Sequence, residues 1–133
     1  MKMFSNPGAF PCLSAKAAES RDLVPAMVVL CRRLHNGSTR DEHRCRALEH
    51  LERIYDVFKG AGVVLSDEEH REVVERYDWY VLNYNALLRM SLDKGFLNYN
   101  FVFKTHLCWH IMELSKCLNP RLIWCYEFEV NYL

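Results

Sequence analysis

The chain has 133 residues, and its 17 Lys and Arg balance 17 Asp and Glu, so the formal net charge is zero. Half of the residues are hydrophobic and 26% are charged, which is typical of a globular domain and excludes a disordered chain. Balanced charge provides no field to recruit nucleic acid or an anionic membrane, and no apolar run of about 18 residues is present to span a bilayer.

The first 19 residues predict an irregular leader, because they contain two prolines, one glycine and little periodicity. They also lack the continuous apolar stretch of a secretion signal. The chain is therefore expected to be intracellular, cytoplasmic or nuclear, with free thiols. Its cysteines are Cys12, Cys31, Cys45, Cys108, Cys117 and Cys125.

A first helix is predicted over residues 20–34, with Pro25 tolerated in the opening turn because an N–H there lacks an intrahelical acceptor. The apolar stripe expected to face the core consists of Leu23, Met27, Leu30, Cys31 and Leu34. A second helix is predicted over residues 39–59, started by Ser38 or Thr39. Its inward stripe consists of Leu48, Leu51, Tyr55 and Phe58.

The third and longest helix is predicted over residues 66–93, where Ser66 and Glu69 have the spacing of a capping box. Its apolar face consists of Val73, Tyr77, Tyr80, Val81, Tyr84, Leu87 and Leu88. The aromatic-rich segment 96–103 is expected to be extended. A fourth helix is predicted over residues 104–118. Its inward residues are Leu107, Ile111, Leu114 and Leu118.

Short connections between the first three helices imply antiparallel neighbours. The predicted fold class is therefore all-α, a small antiparallel bundle of about four helices forming a single domain over residues 20–133. The tail after Pro120 stays apolar up to Leu133. We expect this tail to bind a protein partner or to mediate self-association, or the chain to be a fragment of a larger protein.

One possible metal site lies on the fourth predicted helix. His106 and His110 are four residues apart and share one face, which Glu113 and Cys117 continue. Imidazole and thiolate groups at such spacing can bind zinc, which takes about four ligands. The chain lacks a CxxC pair and an HExxH motif, so two half-buried, hydrogen-bonded histidines are the simpler interpretation. No cofactor is expected, and a divalent metal on His106, His110 and Cys117 is the alternative.

Two further features bear on chemistry. Glu127 and Glu129 would point to the same side of an extended tail, where they could hold a metal or act as acid and base. The favoured interpretation is the solvated side of an amphipathic segment. Cys31 lies on the apolar stripe, with Arg32 and Arg33 on other faces, so no reactive thiol is expected there.

The C-terminal third contains a pattern of histidine, proline and tryptophan motifs. Its strings are Lys104-Thr-His106-Leu-Cys-Trp-His110, Leu118-Asn-Pro120 and Trp124-Cys-Tyr-Glu-Phe-Glu129. Together they resemble the closing motif of CACTA-like DNA transposases and related domesticated or degenerate open reading frames. That motif has a K-x-H-x-x-x-H helix, a short turn with proline and a W-x-x-x-F-E segment. The resemblance covers about residues 104–129 and implies nucleic acid as a partner.

By this resemblance His106 and His110 match the histidine motif, Trp124 begins the last segment, and Glu129 matches the acidic residue of an RNase H-like metal triad. Two-metal phosphoryl transfer needs several carboxylates on a rigid sheet. Every aspartate upstream falls in a predicted helix, cap or helix end, so Glu129 would be an isolated triad member.

The sequence thus predicts a non-catalytic helical domain that resembles the C-terminal part of a transposase-like protein. One alternative is a helical protein–protein interaction module. A second alternative is a metal-dependent enzyme that uses His106, His110 and Glu129.

Overall fold

The computed structural model describes residues 17–96, 98, 99 and 103–123, with only the backbone of residues 17–20 and 104. Every regular element in these ranges is helical. The elements are α1 (Ala17–Arg33), α2 (Thr39–Gly60), α3 (Asp67–Leu92), α4 (Phe103–Leu114) and a short 3-10 helix, η1 (Pro120–Ile123). The predicted all-α fold class is confirmed.

Helices α2 and α3 form the most extensive interface and run antiparallel. His43 near the start of α2 contacts Asn83 near the end of α3, with 2.8 Å between Nδ1 and Oδ1. Further along α2, Arg53 donates two hydrogen bonds to the Glu72 carboxylate, at 2.6 and 3.0 Å, near the start of α3. The contacts move backwards along α3 as they advance along α2, so the two helices form an antiparallel pair.

The outer helices continue this arrangement. Arg32 near the end of α1 donates to Glu49 of α2 at 2.9 Å, so α1 lies against α2. On the other side, the Tyr77 hydroxyl of α3 donates to the Thr105 carbonyl early in α4. Later in α4, the Glu113 carbonyl lies 3.2 Å from Nε2 of His70, which comes earlier in α3. Helices α3 and α4 are therefore antiparallel too, as the bundle prediction requires.

The predicted helix starts are confirmed at α2 and α3. The Ser38 side chain accepts a hydrogen bond from the Asp41 N–H, which satisfies one of the free donors of the first turn. At α3, Ser66 accepts from the Glu69 N–H at 3.2 Å and the Glu69 carboxylate accepts from the Ser66 N–H at 2.8 Å. This reciprocal pair is a capping box.

Three predicted boundaries are wrong. Helix α1 begins at Ala17, so Pro25 lies inside the helix and removes one backbone hydrogen bond. Phe103, expected in an extended segment, begins α4. Helix α4 ends at Leu114 instead of residue 118, because the Ser115 hydroxyl donates to the Met112 carbonyl at 2.6 Å and competes for that acceptor.

The core lies between α2, α3 and α4. Its buried members are Ile54, Val57, Phe58, Ala61, Leu65, Val73, Tyr77 and Met112. The predicted face of α3 is confirmed at Val73, Tyr77 and Leu87, which are at most 4% exposed. In α2, Phe58 is buried as predicted, whereas Leu48, Leu51 and Tyr55 are only half-buried.

The predicted core faces of α1 and α4 are wrong, both by one residue. In α1 the buried residues are Val24 and Val28 instead of Leu23 and Met27. In α4 the buried side chain is Met112, next to the predicted Ile111. One residue corresponds to a rotation of about 100° around a helix, so Leu23 and Met27 in α1 and Ile111 in α4 are more exposed than predicted.

Candidate functional site

The stripe turned outward on α4 is the largest departure from the expected arrangement. Leu107, Ile111 and Leu114 are 44, 42 and 61% exposed, and Leu118 in the following turn is 39% exposed. We call these four residues the α4 face. Leu107, Ile111 and Leu114 have the spacing of one helical stripe, and Leu118 follows in the turn after α4. Leu122 and Ile123 of η1 add exposed apolar surface next in the chain.

The inward side of α4 is apolar as well. Met112 is 9% exposed in the core, and Cys108 packs against the same cluster. Burial against this cluster raises the pKa of the Cys108 thiol. Helix α4 therefore presents apolar side chains on two sides, of which the bundle covers only one.

Helix α1 shows the same property. Its outward residues Leu23, Met27, Leu30 and Leu34 are between 40 and 74% exposed, whereas Val24 and Val28 are buried. Arg32 and Arg33 lie beside this stripe in the last turn of α1. Cations also lie beside the α4 face: Lys116 is exposed in the turn after α4, and Nη1 of Arg121 in η1 donates to the Lys59 carbonyl at 2.7 Å.

The structure brings His106 and His110 together on α4. Their Nε2 atoms lie 3.0 Å apart, and both side chains are exposed. At this distance one ring donates its N–H to the other, and His106 also stacks on Trp109 with 6.3 Å between ring centroids. The predicted pair is thus adjacent, although exposed instead of half-buried.

Cys117, the third ligand considered for this pair, does not share its helical face. Because α4 ends at Leu114, Cys117 lies in the turn that follows and no longer continues the helical stripe. In the described part of the chain, no group of three or more His, Cys, Asp or Glu is placed to hold a metal ion. Trp124, Glu127 and Glu129 lie outside the described residues.

Asn119 is a residue whose importance the sequence did not indicate. It is fully buried beyond α4, and its Nδ2 donates to the Phe58 and Gly62 carbonyls, each at 2.9 Å, where α2 ends. Its own N–H donates to the Val63 carbonyl at 2.8 Å, and its Oδ1 accepts from the Arg121 N–H at 3.0 Å. These bonds tie the end of α4 to the end of α2, and so position the α4 face.

A separate groove of about 390 Å³ lies between α2 and α3. His50 stacks on Trp79 there, and burial followed by the charge of Arg76 lowers the pKa of His50. Nearby, Asn83 donates to the Trp79 carbonyl at 2.7 Å and accepts from His43. His43 and Asn83 pair with each other and His50 stacks on Trp79, so these side chains contribute to the packing of α2 against α3.

Among the described residues, no helix is long and apolar enough to cross a membrane. Comparisons of the chain with family models, with curated proteins and with solved structures returned no match. The α4 face must therefore be interpreted from its own chemistry.

Proposed function

We propose that this chain is a non-catalytic helical interaction domain that self-associates through the α4 face. The observation that supports this proposal is the outward position of Leu107, Ile111 and Leu114 on a helix whose opposite side already packs in the core. Contiguous apolar patches of this kind are uncommon on monomeric proteins and mark interaction sites.

The chemistry of the face favours a second copy of the same chain as the partner. The stripe is aliphatic throughout, with the spacing at which two facing helices interdigitate. A twofold axis through such a stripe places each apolar side chain opposite an equivalent one. A partner with a charged surface would instead lose hydration at its charges without gaining an ion pair on the stripe.

The test is a light-scattering measurement of molar mass across a concentration series. Wild-type protein is expected to dimerise, and Ile111→Glu to remain monomeric with unchanged circular dichroism, because a carboxylate in the interface would be desolvated. Leu82→Glu on α3 is the matched control, since Leu82 is 58% exposed and lies away from the α4 face.

Two results would contradict the proposal. The first is a wild-type chain that stays monomeric at every concentration. The second is a dimer that persists in Ile111→Glu, or that Leu82→Glu disrupts to the same extent.

The resemblance to CACTA-like transposases bears on the absence of catalysis. A nuclease-like active site of the kind found in that family would need several carboxylates held on a rigid sheet. The described aspartates support a non-catalytic chain, because each lies in a helix or at a helix end: Asp22, Asp41, Asp56, Asp67, Asp78 and Asp93.

Purified protein incubated with DNA and Mg²⁺ is therefore expected to leave the DNA intact. Metal-dependent cleavage that Glu129→Gln abolishes would overturn this part of the proposal. It would favour the alternative enzyme, whose proposed residues are His106, His110 and Glu129.

A further inference from the structure

Two cysteines from different helices meet at the α1–α2 interface. Cys31 on α1 and Cys45 on α2 line one cavity at this interface, and they are close enough that Cys31 contributes to raising the pKa of Cys45. Cys45 is 7% exposed, whereas Cys31 is partly exposed. From the sequence we expected no reactive thiol at Cys31, and a helix end, a turn and the first turns of α2 separate it from Cys45. The structure changes that expectation, because the fold brings Cys45 to the same cavity.

This cavity has a volume of about 220 Å³. Met27 and Leu34 form part of its apolar lining, and Arg44 brings a cation to its wall. Arg44 interacts electrostatically with Cys31, and its Nη1 donates to Asp41 at 2.8 Å. A small uncharged oxidant can therefore reach Cys31 through this cavity.

The two thiols differ in their surroundings. Burial, and then the neighbouring Cys31, raise the pKa of Cys45. Cys45 is therefore the protonated, protected thiol, and Cys31 is the one that a reagent from solvent meets first. This asymmetry between an accessible thiol and a buried neighbour is typical of an attacking and a resolving cysteine.

We propose that Cys31 and Cys45 form a reversible disulfide when the protein meets hydrogen peroxide. The Cys31 sulfur attacks one peroxide oxygen, the O–O bond breaks, and one water leaves, so Cys31 becomes a sulfenic acid. The Cys45 sulfur then attacks the Cys31 sulfur, the S–O bond breaks, and the hydroxyl leaves with the Cys45 proton as a second water. The two sulfur atoms together lose two electrons, which the peroxide gains. A dithiol reductant restores both thiols.

The disulfide would close a loop of 15 residues, from 31 to 45 inclusive, that contains the turn between α1 and α2. A loop of this size restricts the unfolded chain enough to raise the melting temperature by roughly 10 °C. The oxidised protein is therefore expected to be the more stable form, with α1 fixed on α2. This inference is independent of the α4 face.

The experiment treats the native, reduced, full-length chain with a small excess of hydrogen peroxide and then blocks the remaining thiols with a maleimide. Proteolysis and mass spectrometry should recover Cys31 linked to Cys45. The same sample should melt at the higher temperature, and dithiothreitol should reverse both changes. In Cys45→Ser the Cys31 sulfenic acid should persist long enough for dimedone to trap it.

Cys108→Ser is the matched control, since Cys108 is also partly buried but sits on α4, and its oxidation pattern should equal that of the wild type. The proposal is overturned if oxidised, folded wild-type protein contains no Cys31–Cys45 link. It is also overturned if the main product is a dimer joined through the exposed Cys117, or if Cys31→Ser gains the same melting-temperature increase as the wild type.

Discussion

Asn119 offers the sharpest test of how the bundle is held together. Its Nδ2 donates to the carbonyls of Phe58 and Gly62, two acceptors at the end of α2 that the helix itself does not satisfy. Asn119→Ala leaves the buried Phe58 carbonyl and the partly buried Gly62 carbonyl without this donor. Each loss of this kind costs about 1–3 kcal/mol, so the unfolding free energy should fall by about 3 kcal/mol. The melting temperature should fall by roughly 10 °C.

Asn119→Asp should cost more than Asn119→Ala at neutral pH. It keeps the oxygen that accepts from the Arg121 N–H, but it places a carboxylate against two carbonyl oxygens. A protonated carboxyl group can donate one hydrogen bond, so the difference between the two variants should shrink as the pH is lowered.

Urea unfolding followed by circular dichroism measures both effects. Asn98→Ala serves as the control, because Asn98 is exposed. The reasoning is refuted if Asn119→Ala costs no more than Asn98→Ala, or if Asn119→Asp is as stable as Asn119→Ala at neutral pH.

Three further predictions follow from the same contacts. Met112→Ala should lower the free energy of unfolding in urea by about 2–5 kcal/mol, because Met112 is buried. Ile111→Ala, measured in dilute, monomeric protein, should lower it by less than half as much. Equal losses would contradict the burial of Met112 in place of Ile111. Burial raises the pKa of Tyr80 to about 12, above its value of about 10 in an unfolded chain. The contribution of this tyrosine to the unfolding free energy should therefore be fully present below about pH 10 and be lost as the pH rises towards 12. Tyr80→Phe should reduce this decline. A chelator should leave the wild-type melting temperature unchanged, because His106 and His110 bond to each other; a fall that is absent in His110→Ala would reveal a bound metal.

Local signals in the sequence were sufficient to predict much of this fold. The capping box at Ser66 and Glu69 and the cap at Ser38 fix where α3 and α2 begin, because the groups that satisfy each first turn lie within three residues of it. The apolar face of α3 was equally predictable. Helix α3 is covered by α2 and α4, so its one strong stripe, including Val73 and Tyr77, had to be buried.

The terminal helices show where such reasoning fails. Both α1 and α4 contain two adjacent apolar stripes, and the sequence favoured the one with the larger side chains. The bundle buries the other, where Val24 and Val28 in α1 and Cys108 in α4 are small. In α4 this choice is tied to bonds from outside the helix, since Tyr77 donates to the Thr105 carbonyl and Asn119 to the end of α2. The sequence pattern within α4 does not indicate these partners, because they lie outside the helix.

The sequence by itself therefore determined the fold class, the approximate positions of the helices and the starts of α2 and α3, because periodicity and capping act over a few neighbouring residues. Only the tertiary structure decided which side of α4 faces outward, that Asn119 joins two helix ends, and that Cys31 meets Cys45. Each of these depends on residues that are distant in sequence and become neighbours only when helices pack, so helical spacing alone does not predict them.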